Sequence, residues 1–220
     1  MVAIQWDKVG ERFYETGVDH GVLYLPNASG VYDKGYAWNG LVSVSENPSG
    51  AEATPQYADN MKYLNLVSAE EFGATLEAFT YPPEFAVCDG TASPLPGLYV
   101  AQQARKTFGL HYRTLIGNDL EGTELGYKLH LIYGALAAPT EKGYTTVNDT
   151  PEAITFSWEL TTTPVEVPGH KPSAALTIDS TEVGLTELAA LEAILYGDAT
   201  LEPRLPLPEE VIEILTPDTP

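Results

Sequence analysis

Four histidines, one cysteine and a dense set of carboxylates are the groups in this chain with the chemistry to catalyse a reaction or hold a metal. His20, His111, His130 and His170 are scattered singly. His111 and His130 fall near each other across a predicted hairpin, a zinc-like hint, but two imidazoles without further ligands do not make a closed site. Cys88 precedes Asp89 and has no neighbouring base in sequence to raise its thiolate, so it reads as a packing residue. Glu71 and Glu77 share one face of a predicted strand, six residues and roughly 20 Å apart. That exceeds the carboxylate spacing glycosidases use. Asn118-Asp119-Leu120-Glu121-Gly122 lacks the alternating oxygen ligands of a calcium loop and reads as a polar turn. Asn27-Ala28-Ser29 and Asn148-Asp149-Thr150 match the glycosylation sequon, which matters only in a secreted chain. Pro203-Arg204-Leu205-Pro206 has PxxP spacing and reads as a tail docked on its own fold. Nucleophile elbow, zincin, P-loop and dinucleotide motifs do not occur. The expectation is a chain that is not an enzyme, with no catalytic residue, metal or cofactor.

Composition narrows the class further. The 220 residues carry 31 acidic against 11 basic side chains, a net charge of −20. Nucleic-acid binders neutralise phosphates with Lys and Arg, so stable binding to DNA is excluded as a function. With 44% hydrophobic residues the chain has ample material for a core. The apolar runs are too short to cross a bilayer, so no membrane segment is predicted. Residues 1–7 lack the basic and apolar regions of a signal peptide, and a single cysteine fits a reducing cytoplasm.

Period-2 alternation dominates the pattern. Phe72, Ala74, Leu76 and Ala78 alternate with Glu71, Gly73, Thr75 and Glu77, as in a half-buried strand. Ile154, Phe156, Trp158 and Leu160 do the same against Thr155, Ser157, Glu159 and Thr161. Residues 106–114 and 127–133 read as two strands joined through the turn 117–122. Leu41–Glu46 is a further strand, less cleanly patterned because Leu41, Val42 and Val44 are all apolar. Residues 82–88 suggest a short proline-started helix. Residues 186–196 form the one longer helix, with Thr186 as cap, Gly197 as stop and Leu188, Leu191 and Leu195 as the apolar stripe.

The strands 41–46 and 72–81 flank a small-residue loop, 47–58, followed by Ala58-Asp59-Asn60-Met61-Lys62-Tyr63 and Ser68-Ala69-Glu70-Glu71-Phe72-Gly73. Ahead of them stand Phe13-Tyr14-Glu15-Thr16-Gly17-Val18-Asp19 and Val22-Leu23-Tyr24. Behind them come Arg105-Lys106-Thr107-Phe108-Gly109-Leu110, Phe156-Ser157-Trp158-Glu159-Leu160-Thr161-Thr162-Thr163-Pro164 and Leu191-Glu192-Ala193-Ile194-Leu195-Tyr196-Gly197. This ordered set closely resembles the major tail protein of long, non-contractile-tailed bacteriophages, over nearly the whole chain. The resemblance implies a mainly β fold: a two-sheet sandwich of tail-tube type with one flanking helix, closing into a ring-shaped barrel on oligomerisation. It implies one domain over 1–200 with a Pro-rich extension over 201–220. It further implies six-membered rings stacking into a virion tail tube, the conduit for DNA ejection, assembled in the bacterial host cytoplasm. Its partners would be further copies, tape measure protein, distal tail protein and tail terminator protein, with DNA only transiently in the lumen. A related ring protein of a contractile injection or secretion system is the alternative, ahead of a carbohydrate-binding sandwich.

On this reading Glu71, Thr75 and Glu77 line the lumen. Pro48, Ser49, Gly50, Glu52, Thr54, Asp59 and Asn60 make contacts between rings or subunits, from a loop that is disordered until assembly. Residues 1–10 and 201–220 gain contacts only on assembly, with Trp6, Val211, Ile212 and Leu215 as anchors.

Overall fold

Alternating β-branched and aromatic residues favour the extended backbone, and the structure is mainly β as that pattern predicts. It is a computed structural model that describes residues 3–147, 149–150 and 152–217. Met1, the sequon residue Asn148 and Pro220 lie outside the described residues. Strands β1 (Tyr14–Pro26), β2 (Tyr32–Trp38) and β3 (Leu41–Glu46) are followed by the short β4 (Ser49–Gly50). Then come β5 (Ala53–Ala58), β6 (Met61–Val67), β7 (Glu70–Glu71) and β8 (Gly73–Ala78). A 3-10 helix, Pro83–Val87, leads into β9 (Ala92–Leu95) and β10 (Leu98–Val100). The remaining strands are β11 (Phe108–Asn118), β12 (Gly122–Ala137), β13 (Phe156–Thr162) and β14 (Ala175–Asp179), and helices α1 (Leu185–Tyr196) and α2 (Pro208–Leu215) close the chain.

Eight strands form one antiparallel sheet in the order β2-β1-β11-β12-β13-β8-β3, with β14 added beside β12. Its two ends are consecutive in sequence. β2 pairs with β1 and β3 pairs with β8, and only Asn39 and Gly40 separate them. The sheet therefore curls until its first and last strands meet, without the ladder closing into a barrel. A register shift between Leu41 and Ser43 absorbs one extra residue in β3. This bulge accounts for the unpatterned Leu41-Val42: Leu41 and Val44 pack on the core while Val42 turns to solvent.

The inner face of the curl encloses one core, made by Leu23, Leu76, Phe108, Leu110, Ile132, Trp158 and Leu160. Phe85 of the 3-10 helix plugs it, with its ring 4.6 Å from Trp38, 5.2 Å from Trp158 and 5.4 Å from Phe108 between centroids. Buried Asp89 accepts a hydrogen bond from Trp158 Nε1 at 3.2 Å and pairs with Lys142 and, at 3.5 Å, Arg105. This holds the 3-10 helix to the strands around it.

A second core lies on the outer face of β1 and β12, where Val22, Tyr24, Leu129, Leu131 and Tyr133 meet Leu188, Leu191 and Leu195 of α1. The expected apolar stripe of α1 is thus the buried one. Its start differs: the helix begins at Leu185 with Gly184 as N-cap and no side-chain cap bond, while Gly197 ends it at φ 75°. A second helix, α2, lies within the Pro-rich segment. Pro208 starts it, and Val211 is buried against the same core. Residues 201–217 therefore already pack within a single chain, against the expectation that they gain contacts only on assembly. Leu205 bridges to Tyr32, and Arg204 pairs with Glu210, so the PxxP stretch lies on its own fold.

His111 and His130 sit on adjacent strands but point to opposite faces, because His130 is the cross-strand partner of Tyr112 and His111 that of Leu131. His111 Nδ1 donates to the His130 carbonyl at 2.9 Å, which leaves Nε2 to accept from the Tyr196 hydroxyl at 2.9 Å. Burial pushes the His111 pKa from 6.5 down to about 4, and burial also lowers that of His130. Below pH 6.5 the unfolded chain takes up a proton that folded His111 refuses. Stability present above that pH is lost as pH falls towards about 4. The loss amounts to about 3 kcal/mol at 1.36 kcal/mol per unit. The carboxylates of Asp19 and Glu210, held below their ordinary 3.8 and 4.5 by hydrogen bonds from Arg113 and Arg204, add their losses at lower pH still. Urea unfolding followed from pH 7 to pH 4 should show this decline, and His111→Asn should flatten it while lowering stability at pH 7.

Candidate assembly interface

The 47–58 segment, expected as a disordered loop, is one side of a two-stranded arm. Its ladder continues that of the core. Beyond β3–β8 the Asn47 amide donates to the Gly73 carbonyl at 2.7 Å, Ser49 and Gly50 pair with Glu71 and Glu70, and β5 pairs with β6 from Ala53↔Val67 to Ala58↔Met61. Asp59 and Asn60 turn the tip with φ of 50° and 61°, the left-handed pair that a two-residue hairpin needs. At the base Gly50 has φ +83°, and an added Cβ would sit 2.2 Å from the Ala69 carbonyl oxygen, so a side chain there would part the two strands. Composition misled because Pro, Ser, Gly and Ala signal loops, whereas here the partner strand supplies the order.

Every residue of β5 and β6 is exposed. Tyr57 is 73% exposed, Tyr63 70%, Val67 63% and Leu66 58%. Period-2 pairing puts Leu64 and Leu66 on one face of β6 and Tyr63 and Val67 on the other, so neither face is a polar, solvent-adapted one. An isolated two-stranded ribbon has marginal stability in water, and this one carries large apolar groups that its own domain leaves uncovered. It has the physical character of a contact element. Pro48, Ser49, Gly50, Glu52, Thr54, Asp59 and Asn60 all lie on it.

The N-terminal segment is a second such element. Ile4, Trp6, Val9 and Phe13 are exposed, Trp6 by 76%. The segment is tied down at Gly10, whose amide donates to Asp119 Oδ1 at 2.9 Å. The 118–122 stretch is indeed a turn, with Asn118 Oδ1 accepting from the Leu120 and Glu121 amides. Of the terminal anchors, Trp6 is bare, Val211 is buried, Ile212 is exposed and Leu215 is half-buried.

A third surface is polar. The outer face of β3, β8 and β13 is not covered by either helix, and its register brings Ser43, Glu77 and Ser157 into one row and Ser45, Thr75 and Glu159 into the next. Ser43 Oγ donates to Glu77 Oε2 at 2.8 Å, and Asn47 Nδ2 donates to Thr75 Oγ1 at 2.9 Å. Glu71 stands apart from this face, at the base of the arm on β7. Glu159, on the polar face of the alternating 154–161 run, lies directly across from Thr75. Its alternation was legible, but the neighbourhood of β13 and β8 was not.

The groups with catalytic potential are dispersed. Burial raises the Cys88 thiol to about 12, and among the described residues no three His, Cys, Asp or Glu side chains gather as metal ligands would. No family model matches the chain, and no curated protein matches it. Solved structures are similar at a low level, among them the two that follow. The six-fold symmetrised cryo-EM structure of the anti-feeding prophage baseplate matches at 12% identity and a TM-score of 0.39, over 82% of this chain and 100% of that one. The sheath–tube complex of the PVC extracellular contractile injection system, in its extended state, matches at 11% identity and a TM-score of 0.34, over 80% and 94%. Likeness at this level leaves function to be read from the chain's own surfaces.

A stability contrast follows from these placements. Tyr63→Asp and Leu66→Asp on the bare arm should leave the unfolding free energy within about 0.5 kcal/mol of wild type. Trp158→Ala, which empties the centre of the inner core, should cost about 3–5 kcal/mol. Chemical denaturation of dilute monomer checks both.

Proposed function

We propose that this chain is the structural subunit of a phage-type tail tube, self-associating into stacked rings that form a conduit for DNA. The observation that carries the reading is the arm: thirteen strand residues in β5 and β6, all exposed, projecting from the core ladder with apolar side chains on both faces. The sequence resemblance described above supports the same reading. So do the outer edge of β3 and the part of the β2 edge beyond the Tyr32–Leu205 bridge, which ring closure would remove. In this assembly the β3–β8–β13 face looks into the lumen. Thr75, Glu77 and Glu159 then present hydroxyls and carboxylates to passing DNA, which like charge keeps hydrated and unadsorbed over a Debye length of roughly 8 Å. Tape measure, distal tail and tail terminator proteins would meet the tube inside and at its ends, and the chain would reside in the virion tail. A ring or tube protein of a contractile injection system fits the same surfaces equally well.

Negative-stain microscopy of the concentrated protein tests the reading: rings or tubes support it, and monodisperse monomers at every concentration contradict it. Deleting Ser49–Thr54 should leave a folded monomer that does not polymerise. Glu77→Lys with Glu159→Lys should still assemble, but the tubes should retain duplex DNA at low salt and release it as salt rises. Equal DNA retention by wild-type and variant tubes would remove this face from the lumen.

A further inference from the structure

A second unpartnered ribbon leaves the opposite end of β8 from the arm. The arm springs from the Gly73 end. At the Ala78 end the chain passes through the 3-10 helix into the β9–β10 hairpin, which is held at its base by Gln103 N–H to the Gly90 carbonyl at 2.9 Å and Lys106 N–H to the Val87 carbonyl at 3.1 Å. Among the described residues the hairpin's strands pair only with each other, Leu98 to Leu95 and Val100 to Ala92. Its Leu95, Leu98, Tyr99 and Val100 are exposed, Leu95 and Tyr99 by more than 60%.

Charge separates the two ribbons. In a chain with 31 acidic residues, none falls between Gly90 and Asn118, while Arg105, Lys106 and Arg113 do. Arg105 is engaged with Asp89 and Arg113 with Asp19, which leaves exposed Lys106 as the cation next to the hairpin. The arm, residues 47–72, carries Glu52, Asp59, Glu70 and Glu71 against Lys62, four negative charges against one positive. At a net charge of −20, most surfaces of two copies repel each other, and a contact forms best where one side has no carboxylates. The N-terminal segment is no rival receptor. It leaves β1 beside the β11–β12 turn, on the same side in strand direction as the arm.

We infer that the β9–β10 hairpin of one copy is the receptor for the arm of the next. The inference rests on the self-assembly reading above and adds the contact that drives stacking. Two different patches at opposite ends of one strand make a heterologous contact, which repeats without closing on itself and so builds a stack. Apolar side chains of both ribbons cover each other, and the acidic arm meets the acid-free hairpin.

The test uses two full-length variants, each first shown to unfold at the wild-type temperature. One carries Leu98→Asp and Tyr99→Asp on the hairpin; the other carries Tyr63→Asp and Leu66→Asp on the arm. Microscopy and sedimentation should show that neither variant stacks alone. Their mixture should pair, the intact arm of one engaging the intact hairpin of the other, and then stop without elongating. Lys106→Glu should weaken stacking, and adding Glu70→Lys and Glu71→Lys should restore it. Normal stacks from the hairpin variant, or no pairing in the mixture, would overturn the inference while leaving self-assembly intact. Wild-type protein that forms no assemblies would overturn both.

Discussion

The path from Tyr32 to Glu46 sets the form of the molecule. Its first half hydrogen-bonds to β1 and its second half to β8, the two ends of an otherwise ordinary antiparallel run. The break at Asn39–Gly40, where Gly40 takes φ +73°, lets one chain segment serve both. The sheet must curl to satisfy it, and the curl creates the enclosed core around Trp158 and Phe85. Because β3 and β8 remain paired past the rim, the same constraint sends the arm outward as an extension of the core ladder.

The rest of the architecture follows from which faces that curl leaves open. On β1 and β12 both faces of the sheet are apolar, so α1, α2 and the tail around Leu205 are needed to cover the outer one. Around β3, β8 and β13 the outer face carries Ser, Thr and Glu and needs no cover. The division puts hydrophobic burial on one flank and a hydrated, acidic wall on the other. Among the described residues, clusters of large exposed apolar side chains lie on the two ribbons and the N-terminal segment. On the proposed reading, the net charge of −20 keeps the monomer from associating through its other surfaces, and these bare elements are the ones left for a neighbouring copy.

Much of this was legible in the sequence because period 2 depends on local order alone. The alternation at 72–78, 106–114, 127–133 and 154–160 falls on strands that run over 73–78, 108–118, 122–137 and 156–162, and Leu188, Leu191 and Leu195 mark the buried side of α1. Which strands are neighbours depends on long-range pairing, so the row Ser45–Thr75–Glu159 and the opposite orientations of His111 and His130 emerge only from the register. The arm was missed for a different reason. Residues 47–58 lack strand propensity, and their order comes from pairing with 61–71, although Asp59-Asn60 did carry a turn signal that tolerates positive φ. Helix α2 was hidden by the prolines around it, even though Pro208 is the residue that starts it.

Hydrogen–deuterium exchange of the arm amides from Ala53 to Val67, in dilute monomer and in concentrated assembled protein, tests the central claim most directly. If the arm is a contact element completed by another copy, these amides exchange rapidly in the monomer, where a bare ribbon opens freely, and become protected on assembly, while the core amides of β11 and β12 are protected in both states. Equally fast exchange of the arm in both states, with assemblies present, would contradict it.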